Sequence, residues 1–239
     1  MSFLRDKLFN FVISIIQLTP YPVTHNIEKA RALRKAFWHI NLERLEGDYF
    51  EFGVAFGNSL EAARLASRRS TARRLGVKSQ ARRFYAFDTF ESFVSDDLDD
   101  DHATWRGVSF SFPYDSVVRR FKRHPEVKIF KGDATQLGSE GDFKASVAAS
   151  MGDESKVAIV MFDMDLKGPT AGALRFIEPR LQTGSLMFFD EFFAFNGNPQ
   201  MGESGALSEF LAQNPRISLR EFAHYGDGGR VFQVQVRED

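Results

Sequence analysis

The chain has no cysteine. Disulfides, thiolate metal sites and a cysteine nucleophile are therefore excluded, whatever the compartment. It also lacks charge of one sign: 31 basic against 32 acidic residues give a formal net charge of −1, so no global field favours nucleic acid or an anionic membrane. No apolar run is long enough to span a bilayer; the longest, Leu8 to Leu18, is interrupted by Asn10, Ser14 and Gln17. The dinucleotide fingerprint Gly-x-Gly-x-x-Gly is absent too, because Ala55 stands where its middle glycine belongs and no third glycine follows in place.

What is present is organised around Asp48 to Ser59. Apolar residues run through Glu51 into Gly53 and Gly57, and a helical pattern with Leu60, Ala63, Leu65 and Ala66 follows. This reads as a buried strand, a tight turn and a helix whose free N–H groups face the turn. Such a crevice beyond the carboxyl end of a first parallel strand is where open α/β sheets bind nucleotides. The 239 residues suffice for one α/β domain over residues 46–239, preceded by an N-terminal helical extension over residues 1–45. The 26 phenylalanines recur beside the expected ligand turns and read first as core.

In the extension, Leu8 to Leu18 reads as a helix packed on the body or on another subunit, with peripheral membrane contact through Phe3, Leu4, Phe9, Phe11 and Ile15 as the alternative. No small-x-small cleavage site follows before Thr19-Pro20-Tyr21-Pro22. A second helix is predicted from about Asn26 to Leu42, with Ile27, Ala30, Leu33, Phe37 and Ile40 on one side; the two helices would cap the site or build an oligomer. The arginines from Arg68 to Arg83 have no interleaved aromatics before Phe84 and read as a solvated helix end and loop.

Strands two to five each end at or near an acid: Arg82 to Asp88, Val127 to the Gly132-Asp133 exit, Lys156 to Asp163, and Gly184 to Asp190-Glu191. The acidic run Asp96 to Asp101 and His102 form a loop after strand two, and Ser116 to Arg123 a short basic helix. Pro169 suits a first helical turn after strand four. Carboxylates at adjacent strand ends repel one another unless a cation sits among them, and oxygen-only ligands favour Mg²⁺. After a helix over Glu203 to Gln213, Ile217 to His224 and Val231 to Val236 flank Tyr225-Gly226-Asp227-Gly228-Gly229 as an antiparallel hairpin.

Several of these segments together resemble the TylF/MycF-type (macrocin O-methyltransferase-like) branch of the class I S-adenosylmethionine (SAM) methyltransferases. They are Glu51-Phe52-Gly53 with Gly57, Phe87-Asp88-Thr89-Phe90-Glu91, Asp163-Met164-Asp165-Leu166 and Asp190-Glu191. The resemblance implies a doubly wound, mostly parallel seven-stranded Rossmann-like sheet with an antiparallel C-terminal hairpin. It implies SAM held by Glu51, Gly53, Gly57, Asn58, Ser59, Asp88, Thr89, Gly132, Asp133 and Asp163, with Asp88 on the ribose and Asp133 near the adenine. It implies Mg²⁺ on Asp163, Asp190 and Glu191, and catalysis through Asp163 with His102 or Lys167 as base.

The expected activity is methylation of a hydroxyl on a sugar or polyhydroxylated natural product, in the cytoplasm, by a homo-oligomer that takes a small-molecule acceptor and no nucleic acid. A phenolic or catechol acceptor, a non-catalytic SAM-fold protein docking through its N-terminus, and a nicotinamide-dependent reductase are the alternatives. Three departures touch the substrate side: Glu191 for the family's second Asp, Lys167 for its Tyr, and Pro169 for its Ser.

Overall fold

Five parallel strands and a C-terminal hairpin make one sheet in this computed structural model, which describes residues 2–91, 111–152 and 155–237. The strands are β1 (Asp48–Phe52), β2 (Phe84–Asp88), β3 (Val127–Lys131), β4 (Val157–Phe162), β5 (Leu186–Phe189), β6 (Ile217–Tyr225) and β7 (Gly229–Val236). Their order is β3-β2-β1-β4-β5-β7-β6; β5 pairs antiparallel with β7, and β7 with β6. This is the doubly wound sheet expected from the sequence. The chain runs outward from β1 on one side and returns to β4 on the other, so a switch-point crevice opens between the carboxyl ends of β1 and β4.

Alternation along each strand divides the core in two. Tyr49, Phe84, Ala86, Ile159, Met161 and Phe188 face α2 (Tyr21–Leu42), α3 (Asn58–Arg69) and α4 (Tyr114–Phe121). Their neighbours Phe50, Phe52, Tyr85, Phe87, Val160, Phe162 and Phe189 face α5 (Asp142–Met151), α6 (Lys167–Ile177) and α7 (Gly202–Gln213). The strands buried on both faces are therefore continuously apolar.

The abundance of phenylalanine has a structural reason. Rings of Phe130, Phe87, Phe52, Phe162 and Phe189 stack strand to strand, with centroids 5.0, 4.7, 5.7 and 4.8 Å apart in that order. Each such pair adds about 1 kcal/mol beyond its area burial. The row lies just below the strand ends and fixes the strands against one another where Gly53, Asp88, Asp163 and Asp190 emerge.

The N-terminal segment follows expectation only in part. A helix α1 (Ser2–Leu18) forms, but residues 5–18 are exposed along its whole length, so it does not pack on the described body. In α2 the buried stripe is Lys29, Ala32, Leu33, Ala36, Phe37, Ile40 and Asn41, while Ile27 is 54% exposed. The helix begins at Tyr21, a turn earlier than expected, and its buried face opens with polar rather than apolar residues. Arg82, read as part of a solvated loop, is buried and donates to the carbonyls of Gly47 and Leu45 at 2.5 and 2.7 Å, closing the α2–β1 connection. Among the described residues no helix is long and apolar enough to cross a membrane.

Candidate active site

At the end of β1, Glu51 is completely buried and accepts hydrogen bonds from the Tyr49 hydroxyl at 2.5 Å and the Ser59 hydroxyl at 2.7 Å. Burial raises its carboxyl to about 7, against the two hydrogen bonds that pull it down. The chain then turns at Gly53, whose φ is +90°; a Cβ there would lie 1.8 Å from the Asp163 carbonyl oxygen. Only glycine permits this approach of the β1 turn to the end of β4. Ala55, in place of a fingerprint glycine, still takes the left-handed conformation, with φ 45°.

Asp88 holds that strained turn in place. Its Oδ2 accepts from the backbone N–H groups of Val54 and Ala55 at 2.6 and 2.8 Å, and its Oδ1 from that of Phe90 at 2.6 Å. A carboxylate offers about four acceptor positions, and three of those of Asp88 are taken by these N–H groups. The other expected cofactor residues ring the same strand ends. Gly57 precedes α3, and Asn58, its first residue, accepts from Arg120 at 2.8 Å. Thr89 folds back on Glu91, with its hydroxyl 3.0 Å from the Glu91 carbonyl. The N–H of Gly132 donates to the Asp88 carbonyl at 3.0 Å, and Asp133 caps the following turn by accepting from the Thr135 N–H at 2.8 Å.

Across the crevice, the backbone N–H of Asp163 donates to Phe52 and that of Asp190 to Phe162, so the two acids leave adjacent strand ends together. There they meet a cation of the chain itself. The ammonium of Lys29, from α2, lies 2.9 Å from Asp163 Oδ2 and 2.7 Å from Asp190 Oδ2. His25, one turn earlier on the same helix, places Nε2 3.1 and 3.3 Å from the two oxygens of Asp190. Burial opposes charge on Lys29, but the two carboxylates outweigh it and hold the ammonium above its ordinary range. Against its burial, Asp190 is pulled below the usual carboxylate range by His25 and Lys29, while burial and the neighbouring Asp190 charge push Asp163 above it. The two acids share one cation and titrate as a pair.

Glu191 is pushed up to about 7 by burial and by Asp190 and Asp163. Glu203, at the start of α7, is fully buried and ties the site's loops together: it accepts from the N–H groups of Met164 and Glu191 at 3.3 and 3.1 Å.

The expected Mg²⁺ ligands therefore do not fit that ion as they stand. Mg²⁺ requires a near-octahedral set of oxygens at short, fixed distances. Both oxygens of Asp190 are engaged by Lys29 and His25, and a cation bound between Asp163 and Asp190 would compete with the ammonium for one place. Among the described residues no group of three or more His, Asp or Glu side chains is arranged to hold a metal. Lys167, expected as a base, is the first residue of α6 and pairs with Glu209 on α7 at 2.7 Å. His102 lies outside the described residues.

Sequence reasoning missed His25, Lys29 and Glu203. The first two had a signal: four residues apart, they continue toward the N-terminus the stripe that buries Leu33, Ala36, Phe37 and Ile40. A buried helix face that turns cationic at one end implies acids opposite it.

No family model matches this chain, and no curated protein matches it. Solved structures do. NovP, an O-methyltransferase, superposes with a TM-score of 0.64 at 16% identity, covering 88% of this chain and 81% of its own. CalS11, a calicheamicin methyltransferase, gives 0.63 at 20% identity, covering 85% and 77%. The apo structure of CalS11, a TDP-rhamnose 3'-O-methyltransferase, gives 0.57 at 20% identity, covering 85% and 78%. At such identities the likeness is one of fold. The fold is that of the class I methyltransferases, Rossmann-like with an antiparallel C-terminal hairpin.

Proposed function

We propose that the chain is a SAM-dependent O-methyltransferase of TylF/MycF type, methylating a hydroxyl of a sugar or polyhydroxylated small molecule. One observation carries this reading: the β1–β4 switch point is ringed by acceptors suited to each part of SAM. Asp88 stands at the end of β2 for the ribose and Asp133 after β3 for the adenine amine, while Glu51, itself buried, braces the turn expected beside the methionine end through Ser59. NovP and CalS11, which share the fold, are methyltransferases by name, and the CalS11 acceptor is a sugar nucleotide.

When bound, SAM supplies a sulfonium methyl group for transfer to a nucleophilic oxygen. The chain contributes position and electrostatics. The Gly53 turn and Asp88 fix the cofactor crevice through backbone hydrogen bonds that are already made in the protein alone. On the acceptor side, Asp163 keeps 27% of its side chain exposed beside a buried Asp190, and its carboxylate orients the acceptor hydroxyl by accepting from its O–H. Within the N-terminal segment it is α2 that covers the acidic end of the crevice and supplies His25 and Lys29, and residues 46–239 carry the crevice. The apolar, exposed surface of α1 supports contact with a second copy in a homo-oligomer. Mg²⁺ stays outside this reading, because Lys29 stands between two of its expected ligands.

Equilibrium titration with SAM, followed by mass spectrometry of hydroxylated sugars and polyols incubated with enzyme and SAM, tests the proposal. Binding of one SAM per chain and a methyl-sized mass gain on an acceptor are expected. NADH binding in place of SAM would redirect the assignment to a reductase.

A further inference from the structure

We infer that Lys29 is the resident cation of the acidic pocket at the β4 and β5 ends, standing where relatives of this kind would be expected to bind a divalent ion. The inference deepens the transferase reading and rests on it only for its consequence, which is methyl transfer without a metal.

Three observations carry it. The first is geometric: one ammonium bridges Asp163 Oδ2 and Asp190 Oδ2 at 2.9 and 2.7 Å, so the two carboxylates best placed to chelate an ion converge on the lysine instead. The second is completeness. His25 covers both oxygens of Asp190, and is itself held on its other ring nitrogen by the backbone N–H of Asp227 at 3.3 Å. Gly226 makes this lock possible, since a Cβ there would lie 2.1 Å from His25 Nδ1. The third is anchorage. Lys29 is 6% exposed, on a helix whose Leu33, Ala36, Phe37 and Ile40 are fully buried against the sheet, so the ammonium cannot leave without exposing buried carboxylates or moving α2.

A plain structural ion pair would make the first contact but would not need the site's location. Lys29 lies at the carboxyl end of β4, the strand that borders the switch-point crevice, against the one acid of the pair that retains solvent exposure. A divalent ion chelates two substrate oxygens at once, whereas an ammonium–carboxylate pair presents one carboxylate to one hydroxyl. The acceptor is thereby freed from the need to offer a vicinal diol.

The test uses Mn²⁺ alone as probe, without SAM or acceptor, so its outcome is independent of the transferase reading. Chelator-treated, buffer-exchanged protein is titrated with Mn²⁺, and free ion is followed by electron paramagnetic resonance. The wild-type chain is expected to bind no stoichiometric Mn²⁺. Lys29→Ala and the volume-conserving Lys29→Gln are expected to bind one ion per chain and to gain thermal stability from it. Adding Asp190→Asn to either variant is expected to abolish both effects. One Mn²⁺ per wild-type chain, lost in Asp190→Asn, would overturn the inference. So would a Lys29 variant with native circular dichroism that still binds none. If neither Lys29 variant folds, the wild-type titration alone decides, with Asp190-dependent binding against the inference and its absence for it.

Discussion

The two rims of the crevice are built in opposite ways. On the β1–β2 rim every acid is satisfied by groups close in the sheet: Glu51 by Tyr49 and Ser59, Asp88 by the Val54, Ala55 and Phe90 N–H groups. On the β4–β5 rim the acids depend on side chains from a helix 134 and 161 residues away in sequence, Lys29 to Asp163 and to Asp190. The first rim uses neutral donors and backbone and is preformed for a ligand of mixed polarity. The second holds two carboxylates around an internal cation and depends on how α2 packs. Local satisfaction tolerates change in distant elements, whereas a non-local ion cluster ties the site to the N-terminal segment.

Breaking the second rim is expected to have the largest effect. Lys29→Ala leaves two buried carboxylates without their shared cation and should lower unfolding free energy by about 4 kcal/mol at neutral pH. Urea denaturation measures it, and a loss below about 1 kcal/mol would place the pair among ordinary surface salt bridges. Next is the seam between the rims. Gly53→Ala pushes a methyl onto the Asp163 carbonyl oxygen at a φ of +90° and should destabilise by about 3 kcal/mol, with loss of SAM binding in whatever fraction remains folded.

Glu51 sharpens the contrast through pH. Its folded carboxyl is raised from 4.5 to about 7, so the fold binds a proton that the unfolded chain releases in that interval. The contribution is full below about 4.5 and falls away as pH rises through about 7. Glu51→Gln should therefore flatten the decline in stability between those limits and leave the variant about 3 kcal/mol more stable than wild type at pH 8. An unchanged slope would mean that Glu51 is ionised in the folded protein. The smallest effect is expected away from both rims. Lys167→Ala removes a pair with a half-exposed Glu209 and should change stability by no more than about 0.5 kcal/mol.

The same contrast explains what the sequence made legible. Apolar runs ending at or near acids located β1 to β5, and the Gly226-Asp227-Gly228 turn located the hairpin, because strand, turn and acid lie within a few residues of one another. α5, with its short, weakly patterned Asp142–Met151 stretch, carried no comparable signal. Asp163 and Asp190 were readable as strand-end acids, but the identity of their cation was not, since that depends on the angle at which α2 crosses the sheet. Ile27 shows the same limit: its spacing fits the apolar stripe, yet it is exposed, and the buried stripe opens at Lys29 with His25 half-buried one turn before it. The bracing role of Asp88 lay equally beyond sequence, because a ribose acceptor and a turn brace occupy the same strand end.

The central claim is that the β1–β4 crevice binds SAM through the Asp88 rim, and calorimetric titration of SAM into wild-type and Asp88→Asn protein, in the presence of chelator, tests it directly. The account predicts one site per wild-type chain, and about tenfold weaker binding in the variant, which loses a charged acceptor. No saturable binding to the wild type, or equal affinity for both proteins, would contradict it.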